Sequence, residues 1–494
     1  MALEEFVAAP GGGSHPFYEG SVLWPVAPEW TTGEVLIGAA YRKLILGISE
    51  TTVDRDRIQT LPKDLPQGQP WEDLLLGPGG LSSPALGREQ KQSQLMPLVP
   101  EIARYACVLG RLRGRWDPSN LLLTTIAAGV PAGAADELMG RLRDALLVET
   151  GDDLVARFIE SELASLDPKR DASASLSFRA PAWRTRNAGP RVPSERFAED
   201  LEYVISLKSE LTRRQWTVLL EALLRLGLAT HMLWLCRLNV CIWKLVIDAV
   251  EEARVPTAES IEQLGWTGHD SNDPLLELGR DANAAIKNRI QSYVQARIGL
   301  NLLLHALDAA GCGWPTLIGE SAGETPSAAL AAFVRHVGDN AAALPGALRS
   351  VGANASLRLA ANTLTDSNPR LLSQVTGFAK NLLEFIRYTL IQMQTQKDEQ
   401  KAYDQGYLVY RKSRVTHIVQ PGPATLIMLV HACCRALGEA PASLDDFKLH
   451  LAHYGLRAPA GELQLGQTSR DLERLGLVVD SPDAGGGRLL VDPF

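Results

Sequence analysis

The chain is predicted to be mainly α and multi-domain, on three observations. Apolar residues make up 46% of it and aromatics only 6%, and the apolar content is chiefly Leu, Ala and Val, a mixture that favours helices over sheets. Apolar residues recur at steps of three and four over long stretches, the period of a helix with one buried face. The length, 494 residues, is that of about three domains at roughly 150 residues each. A charged fraction of 21% leaves ample material for a core and excludes disordered, collagen-like and mucin-like classes.

The net charge is −8, from 49 basic and 57 acidic residues. A protein that coats polyanions over its whole surface is excluded, and any nucleic-acid contact must be local. The six cysteines, Cys107, Cys236, Cys241, Cys312, Cys433 and Cys434, are sparse. Four of them fall in apolar helical runs, which suits buried thiols in a reducing compartment rather than a disulfide framework. The opening MALEEFVAAPGGGSHPF is acidic and lacks the long apolar run of a secretory signal. The most hydrophobic stretch, Thr217 to Val250, is punctuated by Glu221, Arg225, His231, Arg237 and Lys244. A bilayer span needs about 20 mostly apolar residues, so this stretch reads as a buried helix pair or one long core helix. A cytoplasmic protein without membrane contact is expected.

Residues 1–166 form an N-terminal domain. Its first ninety residues are punctuated by Gly and Pro, with short apolar runs at Val22 to Val26 and Val35 to Ile37 that suit strands, and Thr60 to Glu89 reads as an ordered loop. Helical periodicity sets in at Leu95, broken at Pro118 and Pro131, and is clearest over Ala134 to Leu147. Residues 167–194 read as a linker with six basic residues against two acidic. Arg184 and Arg186 beside Trp183 suit either a solvated connector or a segment that orders on a polyanion. Residues 195–402 form a central helical domain. Helices are predicted over Glu195 to Arg254, Leu275 to Ala310, Ser327 to Leu344 and Leu348 to Leu364. A last one spans 369–400, where Leu371, Val375, Phe378, Leu382 and Phe385 keep strict helical spacing behind Pro369. That helix, about 45 Å long at 1.5 Å per residue, is expected to be the central scaffold.

Residues 403–494 change character. Tyr407 to Gln420 alternates like a hairpin, and Ala424 to Leu437 is helical. Ser443 caps a second helix with Asp445 and Asp446 in its first turn, ending at Gly455. Gly461 to Leu475 is a third helix, and Leu477 to Asp480 with Arg488 to Val491 form a Gly-rich hairpin. The stretches SLDDFKLHLAHYGL and QTSRDLERLGLVVDSPDAGGGRLLV resemble the winged helix-turn-helix superfamily over about the last 75–90 residues, under a fifth of the chain. The resemblance implies that the third helix presents Gln467, Thr468, Ser469, Arg470 and Arg474 to the major groove of double-stranded DNA, with Arg488 on the wing at the backbone. The YRKSR run adds Arg411, Lys412 and Arg414 beside Tyr407 and Tyr410. Against this stand Asp471 and Glu473 on the same helix, and nine basic against ten acidic residues from Tyr403 onward. The wing therefore serves either DNA or protein docking.

Catalytic motifs are weak. Gly319-Glu320-Ser321-Ala322-Gly323 matches the G-x-S-x-G elbow, but its flanks are helices and no parallel sheet is expected to hold it. His431, Cys433, Cys434, His450 and His453 share one segment, but adjacent cysteines on a helix point to different sides, so no metal site is expected. Neither a P-loop nor a dinucleotide fingerprint is present, and no cofactor is expected. The composition has the flavour of a high-GC bacterial chain, with a diffuse likeness to accessory components of phage-defence or DNA-modification islands. The expected function is a non-catalytic DNA-binding or DNA-scaffolding subunit of a bacterial multi-protein system. The alternatives are a kleisin-like docking subunit of a chromosome-organising ATPase complex and a serine hydrolase using Ser321.

Overall fold

The computed structural model describes residues 36–45, 80–83, 94–100, 118–131, 133–165, 192–263, 273–313, 326–367, 378–390, 407–412, 416–480 and 487–494. The chain is mainly helical, with a few short strands. The first described helix, α1 (Leu36–Ala40), runs into a π-turn at Tyr41–Ile45. Here the expectation of a strand over Val35 to Ile37 is corrected. Three apolar residues carry no period of their own, and the backbone N–H groups of Leu36 and Ile37 are held as a helix start by the Glu221 carboxylate, at 3.0 and 2.7 Å. An antiparallel pair follows, β1 (Gly80–Ser83) with β2 (Gln94–Pro97). Then come α2 (Pro118–Gly129), α3 (Ala135–Leu146) and α4 (Leu154–Ser165). In α3, Leu138, Met139, Leu142, Ala145 and Leu146 are buried, the one-faced stripe that its sequence spacing predicts.

The predicted linker lies outside the described residues except for its last three, which start α5 (Pro193–Ser206). Pro193 needs no N–H partner at a helix start, and the Glu195 carboxylate turns back to accept the Val192 N–H at 3.1 Å. A 3-10 turn at Leu207–Ser209 leads to α6 (Arg213–Glu252), 40 residues and about 60 Å at 1.5 Å per residue. Its start is a capping box: Thr212 Oγ1 accepts the Gln215 N–H, and Gln215 Oε1 accepts the Thr212 N–H at 3.2 Å.

Every residue of α6 from Trp216 to Asn239 is buried, as a helix with no polar face requires. Among the described residues it is the one helix long and apolar enough to cross a membrane, and its apolar window is wholly covered by protein. The longest described helix is α6; of the helix expected over 369–400, Phe378–Leu390 is helical and the rest lies outside the described residues. Beyond α6 come α7 (Ala258–Gln263), β3 (Leu276–Glu277), α8 (Ala282–Ala309), α9 (Pro326–Asp339), α10 (Leu344–Ser350), α11 (Leu357–Ser367) and α12 (Phe378–Leu390). Helices α5 and α8 pack along α6 most extensively, and α1, α2, α9, α12 and the later helix Pro423–Leu437 also cover it. Two glycines allow the close approaches. A Cβ on Gly227 would sit 2.2 Å from the Phe197 ring on α5, and one on Gly299 of α8 would sit 2.4 Å from the Trp243 ring.

Charged groups buried on α6 tie distant segments to it. At its first residue, Arg213 donates to Leu98 O at 2.8 Å, Leu147 O at 3.0 Å and Asp152 at 3.1 Å, and also to Leu146 O and the Tyr41 hydroxyl. It thereby satisfies the carbonyls at the end of α3. Two turns on, Glu221 holds α1 and pairs with Arg225. Arg225 in turn donates to Thr389 O in the last turn of α12 at 3.3 Å and lies 4.3 Å from the centre of the Tyr407 ring. The remaining elements are β4 (Val409–Arg411), β5 (His417–Val419), α13 (Pro423–Leu437), α14 (Leu444–His453), β6 (Leu456–Arg457), α15 (Glu462–Leu465), α16 (Gln467–Arg474), β7 (Val478–Asp480) and β8 (Arg488–Leu490).

Candidate nucleic-acid interface

Helix α13 packs against α6 and α5, and three further contacts mount the C-terminal elements on the helical body. Strand β6 pairs in parallel with β3, Leu456 against Leu276, and Arg457 pairs with Glu277 across that seam. Strand β5 meets the start of α8 through the Ile418–Asp281 bridge. The third mount is buried. Asp200 on α5 accepts from Arg196 Nε at 2.8 Å and the Tyr454 hydroxyl at 2.7 Å, and its other contact is His450 Nε2 at 3.0 Å. Burial alone would raise this carboxyl, but His450, Arg196 and Tyr454 outweigh burial and hold it below the usual carboxylate range. Asp200 and Tyr454 are 0% exposed and His450 4%, so the cluster is closed to any substrate and its work is to join α5 to α14.

Within the unit, Ser443 begins α14 as the sequence predicts. Its N–H and hydroxyl both reach the Asp446 carboxylate, at 2.9 and 2.6 Å, and these bonds keep Asp446 below the usual carboxylate range. The segment before α14 bridges to β8, Ser443 opposite Leu489 and the Leu490 N–H on Ala442 O at 2.7 Å. Strand β8 pairs antiparallel with β7, Val478 opposite Leu490. The single helix predicted over Gly461 to Leu475 is two, α15 and α16, with extended backbone at Gly466 between them. The Glu462 carboxylate crosses this break and accepts the Thr468 N–H at 3.0 Å and its hydroxyl at 2.8 Å, placing a negative charge at the start of α16 where the helix dipole favours it.

The residues expected to meet a nucleic acid separate into two groups. Gln467, Arg470 and Arg474 are exposed, one ridge along α16. Thr468 and Ser469 are each 1% exposed and face inward. Ser469 donates to Gln464 O at 3.0 Å and accepts from Arg488 at 2.9 Å. Arg470 donates to Gln467 at 3.0 Å, and Arg474 pairs with Asp471 at 3.2 Å while its own side chain stays 70% exposed. Arg488 braces the β7–β8 pair against α16 by pairing with Glu473 and with Asp480 at 3.1 Å. The hydrogen bond between Arg488 and Glu473 raises the guanidinium and lowers the carboxyl. Asp471 also accepts from Gln420 at 3.2 Å, which brings the base of the β4–β5 hairpin against α16. Arg411 closes β4, opposite His417, and Lys412 follows it, exposed; Arg414 lies outside the described residues.

Other candidates resolve similarly. Ser321 and Trp183 with its arginines lie outside the described residues. His450 is committed to Asp200, and His431 to Asp492 at 2.7 Å. No group of three or more metal-binding side chains occurs among the described residues. Sequence reasoning missed the Arg196–Asp200–His450–Tyr454 cluster. Its one local trace is the helical spacing of Arg196 with Asp200 and of His450 with Tyr454. It also missed a second group, Arg237 and Arg289 around Asp273. No family model, no curated protein and no solved structure matches the chain.

Proposed function

We propose that this chain is a non-catalytic, DNA-engaging subunit of a larger assembly, and that its C-terminal unit is a winged helix-turn-helix whose α16 reads the major groove. The observation that carries the reading is the exposed ridge Gln467, Arg470 and Arg474, set beside a hairpin that bears Arg411 and Lys412. The order α13, α14, α16 and then the β7–β8 pair supports it, since the resemblance implies three helices followed by a hairpin. Arg474 can turn outward because its side chain is 70% exposed, and the Asp471 carboxylate, 8% exposed, keeps hydrogen bonds from Gln420 and Gln467 when it does. Thr468, Ser469 and Arg488 hold the ridge and the wing in place.

The test is titration of duplex DNA by fluorescence anisotropy at several salt concentrations. Affinity should fall with salt, and Arg470→Ala with Arg474→Ala should weaken it about tenfold and flatten the salt slope by about two phosphate contacts. Unchanged affinity in the double variant, or no binding at low salt, refutes the proposal. Leu465, 83% exposed, and Val479, 50% exposed, favour a second reading, a kleisin-like protein-docking unit. On that reading Leu465→Glu breaks assembly with the partner subunit and the double arginine variant does not.

A further inference from the structure

Away from the C-terminal unit, two arginines from different helices converge on one carboxylate. Arg237 of α6 is 6% exposed and its Nε lies 3.6 Å from Asp273; Arg289 of α8 is 15% exposed and bonds both oxygens of Asp273, at 2.8 and 3.3 Å. The backbone joins in, with Asp273 O accepting from Arg237 at 3.4 Å and Pro274 O from Arg289 at 3.0 Å. Lys244 lies two helical turns along α6 from Arg237, on the same face and exposed. All four charges act on the thiol of Cys241, which lies between Arg237 and Lys244 on α6. Among the described residues, Arg237 and Arg289 thus converge on Asp273, with Lys244 farther along the same face.

Two features mark the arrangement as more than an ion pair. The Arg289 Nε–H is buried and has no acceptor among the described residues, and a buried donor of this kind has room in its hydrogen bonding for a further partner. Asp273, by contrast, is 55% exposed. The carboxylate is therefore the part of the group that can swing into solvent, while the guanidinium groups are fixed by packing. A planar guanidinium offers parallel donors that suit a tetrahedral oxyanion as well as a carboxylate.

We propose that the Arg237–Arg289 cradle binds a small phosphate-bearing ligand, and that the Asp273 carboxylate occupies the cradle in the free protein. The ligand displaces Asp273, takes the two guanidinium groups and supplies an acceptor to Arg289 Nε–H. Neither the DNA reading nor the α16 ridge is needed for this.

Isothermal titration of the full chain with inorganic phosphate, and separately with ATP, at ionic strength matched with sodium chloride, tests it. Asp273→Asn removes the competing anion and should tighten phosphate binding about tenfold, because the ligand no longer has to displace a carboxylate from Arg289. Asp273→Asn combined with Arg289→Gln should abolish binding. Equal affinity for the two probes assigns the site to free phosphate, and tighter binding of ATP assigns it to a phosphate carried on a nucleotide. Absence of binding of both probes to folded Asp273→Asn protein overturns the proposal, as does binding that survives Arg289→Gln. Should Asp273→Asn protein not fold, thermal melting of the wild type decides instead. Stabilisation by phosphate over chloride that is lost in Arg289→Gln upholds the site, and no stabilisation refutes it.

Discussion

Replacing Asp200 by Asn keeps the shape of the side chain and removes its charge. The carboxylate is fully buried and takes Arg196, His450 and Tyr454, so the variant leaves a guanidinium that is 3% exposed without its inner partner and turns an amide N–H toward groups that are themselves donors. Arg196 keeps Glu199 at 2.8 Å, a partner 43% exposed and therefore screened. Breaking a buried pair from one side costs about 3–5 kcal/mol, a large part of a typical stability of about 5–15 kcal/mol. Urea denaturation followed by circular dichroism at pH 7 measures the loss. The pH dependence has a definite sign. Asp200 is held below its ordinary value in the folded state, so its contribution is fully present above the unfolded value of about 3.9 and fades as pH falls through the folded value. The wild type and Asp200→Asn curves should run parallel from about pH 5 upward and converge in acid. A loss below about 1 kcal/mol at pH 7, the range of an exposed pair, or a gap that does not narrow in acid, refutes the argument that this cluster fastens the C-terminal unit to the body.

Other consequences are simpler to measure. Gly227→Ala drives a methyl into the Phe197 ring between α5 and α6, and overpacking of this kind costs about 1–3 kcal/mol; a melting temperature equal to wild type contradicts the close approach. Burial pushes the thiols of Cys236 and Cys433 up to about 12. Both should resist iodoacetamide at about pH 8 and label only after unfolding in urea, whereas native-state labelling at the rate of a free thiol contradicts their burial.

What could be read beforehand follows physical range. The stripe of α3 and the cap at Ser443 are written within a few residues of where they act, and both are in the structure as expected. The stretch Thr217 to Val250 left one helix or a pair open. It is one, because Glu221 and Arg225 sit a turn apart and answer each other's charge, and because Gly227, a weak helix former, makes room for Phe197. Reading Gly461 to Leu475 as one helix failed at Gly466, where a side chain from the previous turn, Glu462, stabilises the break. The α16 ridge was partly legible. Its residues were named, but that Thr468 and Ser469 turn inward depends on packing that no local pattern records. The Asp200 cluster was not legible at all, since its partners are 250 residues apart.

The buried charges of α6 bear on how the molecule comes into being on the ribosome. The amides of Leu36 and Ile37 find their acceptor in a side chain encoded 185 and 184 residues later, and Tyr41 receives Arg213 from 172 residues away. Until translation passes those positions, the early helices can pack only on one another, and the faces that α6 covers stay open to solvent. Such closures over long loops are slow, and chains in that condition are prone to aggregate. Premature termination before α6 would therefore yield material fit for a chaperone or a protease, not a smaller working protein.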